Sequence, residues 1–329
     1  MKRLSIMLGS LLVLVALFVN SCGKEEKTAT IQKFITIEDA ILVSEDMPTT
    51  TTDETIEVSM NQQVIPGGSS YVSLISETIA KKILVGIEGQ TGYYEITPVK
   101  ARSNEYSFVF MVEQDIELPE NNTGFTIKVA IVDENDGISE IWQTYVGLKV
   151  VGTGALQVSL SFDNAKDVDL HLIEPEYNDE NGNPVPFYDR HIYFANSFAT
   201  SGGELDLDSN AGCSIDNVNN ENITYNENDA FVAPGTYKVY VDLYENCQPE
   251  LATNYVVVVT YGGRQIASKS GIFPVNAPST FDPITESYVE SNEPFLTFTI
   301  GNNGQKCVKT YAPVEPSESA KEKLARSAQ

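Results

Sequence analysis

The sequence predicts an all-β protein of two β-sandwich domains behind an export leader, and three observations carry that expectation. Short period-two runs of β-branched and aromatic residues recur through most of the chain, and no helical periodicity of useful length precedes its last residues. The chain has 329 residues, 42% of them hydrophobic, which suffices for two ordinary domains. A segment carrying two glycines, Val150 to Ala155, divides the strands into two sets. Charge narrows the function classes: 21 Lys and Arg face 46 Asp and Glu, a formal charge of −25. No nucleic-acid partner and no polybasic membrane patch is expected of so acidic a chain. With two His and four Cys, His-rich metal centres and Cys-paired zinc ribbons are excluded.

Residues 1–21 read as a signal peptide: Met1-Lys2-Arg3, then an apolar stretch from Leu4 to Val19 broken only by Ser5, Gly9 and Ser10. Its core is shorter than the ~20 residues that span a bilayer, and no later segment approaches that length. Val19-Asn20-Ser21-Cys22 resembles a lipobox, which implies that Cys22 is diacylated and becomes the mature N-terminus. Two or more acyl chains anchor firmly, because each buried methylene contributes about 0.8 kcal/mol and a single chain holds only marginally. The following Gly23-Lys24-Glu25-Glu26 resembles the Lys-then-acids export signal of Bacteroidetes-type surface lipoproteins. Lys24, Glu25 and Glu26 are therefore expected to route an outer-membrane lipoprotein to the cell surface. Residues 22–33 form a lipidated polar tether.

The first sandwich is expected over 34–151. Its strands are read at Thr55 to Met60, Lys82 to Ile87, Tyr106 to Val112 and Thr126 to Val132, half-buried by alternation. Pro66-Gly67-Gly68 and Glu88-Gly89 break strands, and Asp133-Glu134-Asn135-Asp136-Gly137 joins two long ones as a hairpin turn. That last run is not a calcium loop of the EF-hand kind, which needs Gly at position six, whereas Gly stands here at position five. The set resembles an immunoglobulin-like bacterial adhesin module, though with no Cys pair.

The second sandwich is expected over 156–311, from Leu156-Gln157-Val158-Ser159-Leu160-Ser161-Phe162 through the alternating runs Gly235 to Tyr244 and Tyr255 to Tyr261; 312–329 is a flexible tail. Within it lies the segment most able to carry chemistry. Alternation puts Val168, Leu170 and Leu172 on one face and Asp167, Asp169 and His171 on the other. Leu205 and Leu207 likewise oppose Glu204, Asp206 and Asp208. If the two strands are neighbours, their carboxylates repel, and a divalent cation relieves the repulsion. Hard oxygen ligands suit calcium first. Asp167, Asp169, Asp206 and Asp208 are the expected metal ligands, with His171 as an orienting group.

These residues also carry a resemblance. Leu160-Ser161-Phe162-Asp163 with Asp167 to Leu172, Tyr193-Phe194-Ala195-Asn196, Gly202 to Asp208, Glu221-Asn222-Ile223 and Ala233 to Val241 are together similar to the YfaP-like domain of uncharacterised bacterial exported proteins. The resemblance spans about 156–300 and implies a β-rich exported domain of unassigned activity, with Glu221 as a further ligand. The acidic strand also resembles, more faintly, calcium-binding pre-peptidase C-terminal sandwiches, so the second sandwich is expected to be jelly-roll-like or of that type.

Other constellations fail. Asp179-Glu180-Asn181-Gly182-Asn183 begins like a calcium loop, but Arg190 occupies its twelfth position, so a turn is expected. His191, before Ile192-Tyr193-Phe194, is read as a strand-edge residue rather than a ligand. No Gly-x-Ser-x-Gly elbow and no phosphate loop is present. Once Cys22 is lipidated, Cys213, Cys247 and Cys307 remain, so at most one intramolecular bridge forms. Cys213 with Cys247 is favoured, since the other choices use Cys307 beyond the last strand; three reduced thiols is the alternative. The functional expectation is a non-enzymatic surface lipoprotein binding an extracellular glycan, peptide or protein through a cation-stabilised β-domain. A metal-dependent hydrolase acting through Asp167, Asp169, His171, Asp206 and Asp208 is the competing expectation.

Overall fold

A computed structural model describes residues 29–98, 104–226, 230–281 and 284–301. Cys22, Lys24, Glu25, Glu26 and Cys307 lie outside these residues. The protein is nearly all β, as expected, and its strands form two sandwiches, each closed around its own hydrophobic core.

The first contains β1 (Ile35–Thr36), β2 (Ile41–Val43), β3 (Ile56–Met60), β4 (Gln63–Val64), β5 (Ser69–Ser76), β6 (Ala80–Ile87), β7 (Tyr93–Ile96), β8 (Glu105–Val112), β9 (Gly124–Asp133) and β10 (Trp142–Leu148). One sheet runs β1-β8-β5-β3 and the other β2-β7-β6-β9-β10-β4. Taken as A, B and E, strands β3, β5 and β8 face β6, β9 and β10 as C, F and G, the immunoglobulin arrangement. The alternating apolar positions meet between them: Val72, Leu74, Phe108 and Phe110 against Val85, Ile127, Val129 and Ile131. Asp133 belongs to a turn, its Oδ1 accepting the backbone N–H of Asn135 at 2.8 Å and of Gly137 at 2.7 Å. Asp179 does the same for Asn181 and Asn183.

The second contains β11 (Leu156–Phe162), β12 (Asp167–Ile173), β13 (His191–Ile192), β14 (Gly203–Leu207), β15 (Asn220–Tyr225), β16 (Gly235–Glu245), β17 (Thr253–Tyr261), β18 (Arg264–Phe273) and β19 (Leu296–Ile300). Its sheets run β14-β15-β11-β17-β18 and β13-β12-β16-β19. Strands β11 and β12 lie in opposite sheets and pair with β17 and β16, so antiparallel pairs wrap across both layers in the manner of a jelly roll. A short helix α1 (Glu286–Ser291) covers part of the outer face of the second sheet, packing Val289 with Ile173, Tyr240 and Ile284. Thr285 caps it by accepting Tyr288 N–H.

Alternation in β11 implies a half-buried strand, yet all seven of its residues are buried. Leu156, Val158, Leu160 and Phe162 enter the second core, while Gln157, Ser159 and Ser161 face the first sandwich. Their polar groups are matched across the junction. Ser161 Oγ lies 2.7 Å from Ser69 Oγ, Gln157 Nε2 donates to Pro66 O at 2.7 Å, and Asn61 Nδ2 donates to Phe162 O at 2.8 Å. At Gly67, with φ +71°, a Cβ would come within 2.3 Å of Gln157 Oε1, so the amide that bonds Pro66 O and Asn222 would have to shift.

Gly67→Ala is therefore expected to destabilise by about 1–3 kcal/mol, through left-handed backbone strain and overpacking. It should also speed tryptic cleavage at exposed Lys149, between the sandwiches. Denaturant unfolding and timed proteolysis together check this; unchanged stability and an equally resistant junction would show that the contact does not hold the sandwiches together.

Candidate functional site

The site is built on β12. Val168, Leu170 and Leu172 enter the core as expected, but the opposite face is not open: Asp167, Asp169 and His171 are each exposed by 1% or less. The acids lie opposite the core, as expected, but under cover rather than at the surface. The reason is a roof over that face, made by the segment after β14 and by the residues following β13. Gly212 N–H donates to Asp167 Oδ2 at 2.7 Å, and Asn210 Nδ2 donates to Lys166 O at 3.1 Å. A Cys213–Cys247 disulfide fastens the roof to the end of β16, with a Cα separation of 5.7 Å. The favoured pairing is therefore the one present.

Strands β12 and β14 lie in different sheets, but the sheets approach at this edge, and ligand atoms of Asp167, Asp169 and Asp208 all fall within 4.8 Å of one another. At an effective dielectric constant of about 20, two carboxylate charges at that spacing repel by about 3 kcal/mol. Such a group can hold a metal ion. Lys166, the adjacent cation in sequence, turns its ammonium to Leu251 O at 2.6 Å instead, and burial lowers its pKa.

Asp206 is not in the group. Ladder pairing of β14 with β15 shifts between Leu205 and Leu207, so Asp206 is an extra residue in a β-bulge and the period of two breaks there. Its carboxylate receives Gly152 N–H and Asn222 Nδ2 at the segment joining the sandwiches. Glu221 also lies outside the three-carboxylate group: its Oε2 accepts Leu170 N–H at 2.6 Å. That amide lies on the β12 edge where β13 pairs only with Leu172 and Ile173, so Glu221 replaces a missing strand.

His171, expected beside the acids as an orienting group, sits between Asp242 and His191. Its Nε2 lies 3.1 Å from Asp242 Oδ1 and its Nδ1 2.9 Å from His191 Nε2. Asp169, His171 and Asp242 form a second group whose ligand atoms all lie within 4.8 Å, sharing Asp169 with the first. His191, read as a strand-edge residue, is 1% exposed and stacks on Tyr193 at 4.0 Å between ring centres. Burial, and then the neighbouring His171, push its pKa well below the usual histidine range. The sequence reading missed Asp242 and gave His191 no role. Asp242 is marked only as an acid in an apolar alternating strand, Val239-Tyr240-Val241-Asp242; what makes it matter is its register opposite Asp169.

Glu174, directly after β12, was also not singled out. It is buried, and its carboxylate accepts the hydroxyls of Ser201, Tyr225 at 2.7 Å and Tyr177 at 3.0 Å. Arg190 Nη1 donates to Glu174 O at 2.7 Å, which closes the excursion from Pro175 to Arg190. Burial outweighs the three donors and raises its carboxyl pKa to about 7.

Neither a scan against protein-family models nor a search of curated proteins matches this chain.

Two outcomes follow from these contacts. Because the folded Glu174 binds its proton more tightly than the unfolded chain does, its contribution to stability is full below about pH 4.5. It is lost as pH rises toward about 7, a change on the order of 3 kcal/mol. Glu174→Gln should flatten that part of the urea-unfolding pH profile; a profile parallel to wild type across this window would refute the assignment. Replacing Cys213 and Cys247 by Ser is expected to cost about 2–4 kcal/mol and to loosen the roof. Differential scanning calorimetry and hydrogen exchange at Gly212 measure both effects.

Proposed function

We propose that the protein is a non-enzymatic lipoprotein of the cell envelope, displayed at the outer surface through acylated Cys22. Its second sandwich is stabilised by a divalent cation, calcium first, and it binds an extracellular glycan, peptide or protein. The observation that carries the cation reading is the convergence of buried Asp167 and Asp169 with half-buried Asp208. All three offer hard oxygen ligands, which favour calcium. The Cys213–Cys247 disulfide supports export, because such bridges persist in oxidising compartments. Lys24, Glu25 and Glu26 beside the lipobox-like sequence support surface display. A cleft of about 660 Å³ on the first sandwich, beside Phe34, Glu113 and Glu117, offers one seat for a ligand.

The hydrolase reading loses ground on two counts. Asp206 is drawn away from the other acids, and the burial of Asp167, Asp169 and His171 leaves a substrate little access to them.

Calcium added to chelator-stripped protein is expected to raise the melting temperature in proportion to the logarithm of free ion. Asp167→Asn and Asp208→Asn should abolish the rise. No shift at millimolar calcium would overturn the calcium reading. In cells, Cys22→Ala should release the protein from the membrane fraction or leave it as precursor, and Ala at Lys24, Glu25 and Glu26 should lower its access to external protease. Normal processing with detergent partitioning of the Cys22 variant would overturn the anchor, and unchanged protease access would overturn surface display.

A further inference from the structure

The chain contains two histidines, and the fold brings both to one place: 20 residues apart in sequence, each 1% exposed, with ring nitrogens 2.9 Å apart. They adjoin a pair of acids that strand pairing puts in direct opposition. Asp169 on β12 and Asp242 on β16 are cross-strand partners, and His171 lies two residues along the same face. Like charges directly opposite weaken a ladder, so a cation or a donor is required between them. His171 Nε2 points there.

The parts behind these three groups orient them. Thr280 Oγ1 donates to Asp242 Oδ2 at 2.8 Å, leaving Oδ1 toward the imidazole. Tyr193 stacks on His171 at 5.2 Å and on His191 at 4.0 Å, so neither ring is free to swing. A histidine that ligates a metal needs its other ring nitrogen held by an outer partner, and His191 holds it. An imidazole in that role has a property a backbone carbonyl lacks, because it either donates or accepts. With hydrogen on its Nε2, His191 donates to His171 Nδ1, and His171 Nε2–H donates to Asp242. With its hydrogen on Nδ1 instead, His191 accepts from His171 Nδ1–H, and the lone pair of His171 Nε2 faces the two acids. The two arrangements carry the same net charge, one hydrogen-bonded to Asp242 and the other with a lone pair ready for a metal; exchanging them takes one proton off His171 Nε2 and puts one on His191 Nδ1.

We infer that Asp169, His171 and Asp242 form a second metal position, sharing Asp169 with the oxygen-only group and selecting a borderline divalent cation such as zinc. One imidazole with two carboxylates suits that ion, whereas calcium, and to a lesser degree manganese, prefer oxygen ligands. Asp242, at 12% side-chain exposure, is the most open of the three ligands and marks the side from which an ion enters. The position goes beyond the calcium reading and shares one residue with it, so the two are separable by experiment.

The test uses the full chain, stripped by chelator and titrated calorimetrically with zinc, manganese and calcium separately. Cobalt serves as a visible-absorption probe of nitrogen ligation. Wild type is expected to bind zinc and to show cobalt absorption, while His171→Gln and Asp242→Asn weaken zinc at least tenfold and retain the calcium response. His191→Gln should weaken zinc by about 10–100-fold, the usual effect of removing an outer partner. Asp208→Asn should do the converse, losing calcium and keeping zinc. Asp242 is partly exposed, so its variant keeps the test valid if the His171 variant does not fold. Absence of zinc binding in wild type, or zinc binding unchanged in Asp242→Asn, overturns the inference and leaves the calcium site standing. Zinc binding with no calcium response supports the inference and overturns the calcium site.

Discussion

Seven consecutive residues, Asp167 to Ile173, are buried, and three of them carry ionisable side chains. A central strand with one apolar face is ordinary; one whose other face holds two aspartates and a histidine in the dry interior is not, because every such group must find a donor, a proton or an ion. Much of the surrounding structure meets that demand. The roof segment brings Gly212 N–H, β16 brings Asp242, and β13 brings His191. The disulfide keeps the roof in place, and Glu221 substitutes for a strand where β13 stops short. Removing the roof would admit water to the acids and dissolve the reason for their grouping.

A similar constraint governs the junction between the sandwiches. Strand β11 is buried on both sides, and its second face is polar: Gln157, Ser159 and Ser161 meet Pro66, Gly67 and Ser69 through hydrogen bonds. A junction of that kind is directional, since each hydroxyl and amide is satisfied in one relative placement. Small residues make the close approach possible, which is why Gly67 stands where the first sandwich meets Gln157. The joining segment is tied in as well, with Gly152 N–H on Asp206 and Asn222 Nδ2 on Gly152 O.

The two carboxylate groups sharing Asp169 give the second sandwich a chemical character that its strand content alone does not imply. One group is all oxygen and the other includes nitrogen, so they are suited to different cations although they lie side by side. Each sets two buried ligands beside one half-buried acid, Asp208 in the first and Asp242 in the second.

The all-β class, most strand positions and the apolar face of β12 were legible in the sequence, because a period of two and β-branched residues are local properties. The convergence of Asp167, Asp169 and Asp208 was legible in part, since two acidic strands with apolar opposite faces are visible in the text. What remained hidden depended on register. A bulge at Asp206 turns one acid away; the register of β12 against β16 puts Asp242 beside Asp169; the return of the excursion after Glu174 seats His191 against His171. The sequence by itself determined which residues form strands and which faces are apolar, because alternation is written residue by residue. Only the tertiary structure decided which acids meet and that their face is roofed, because strand register and coverage are set by contacts between segments far apart in the chain.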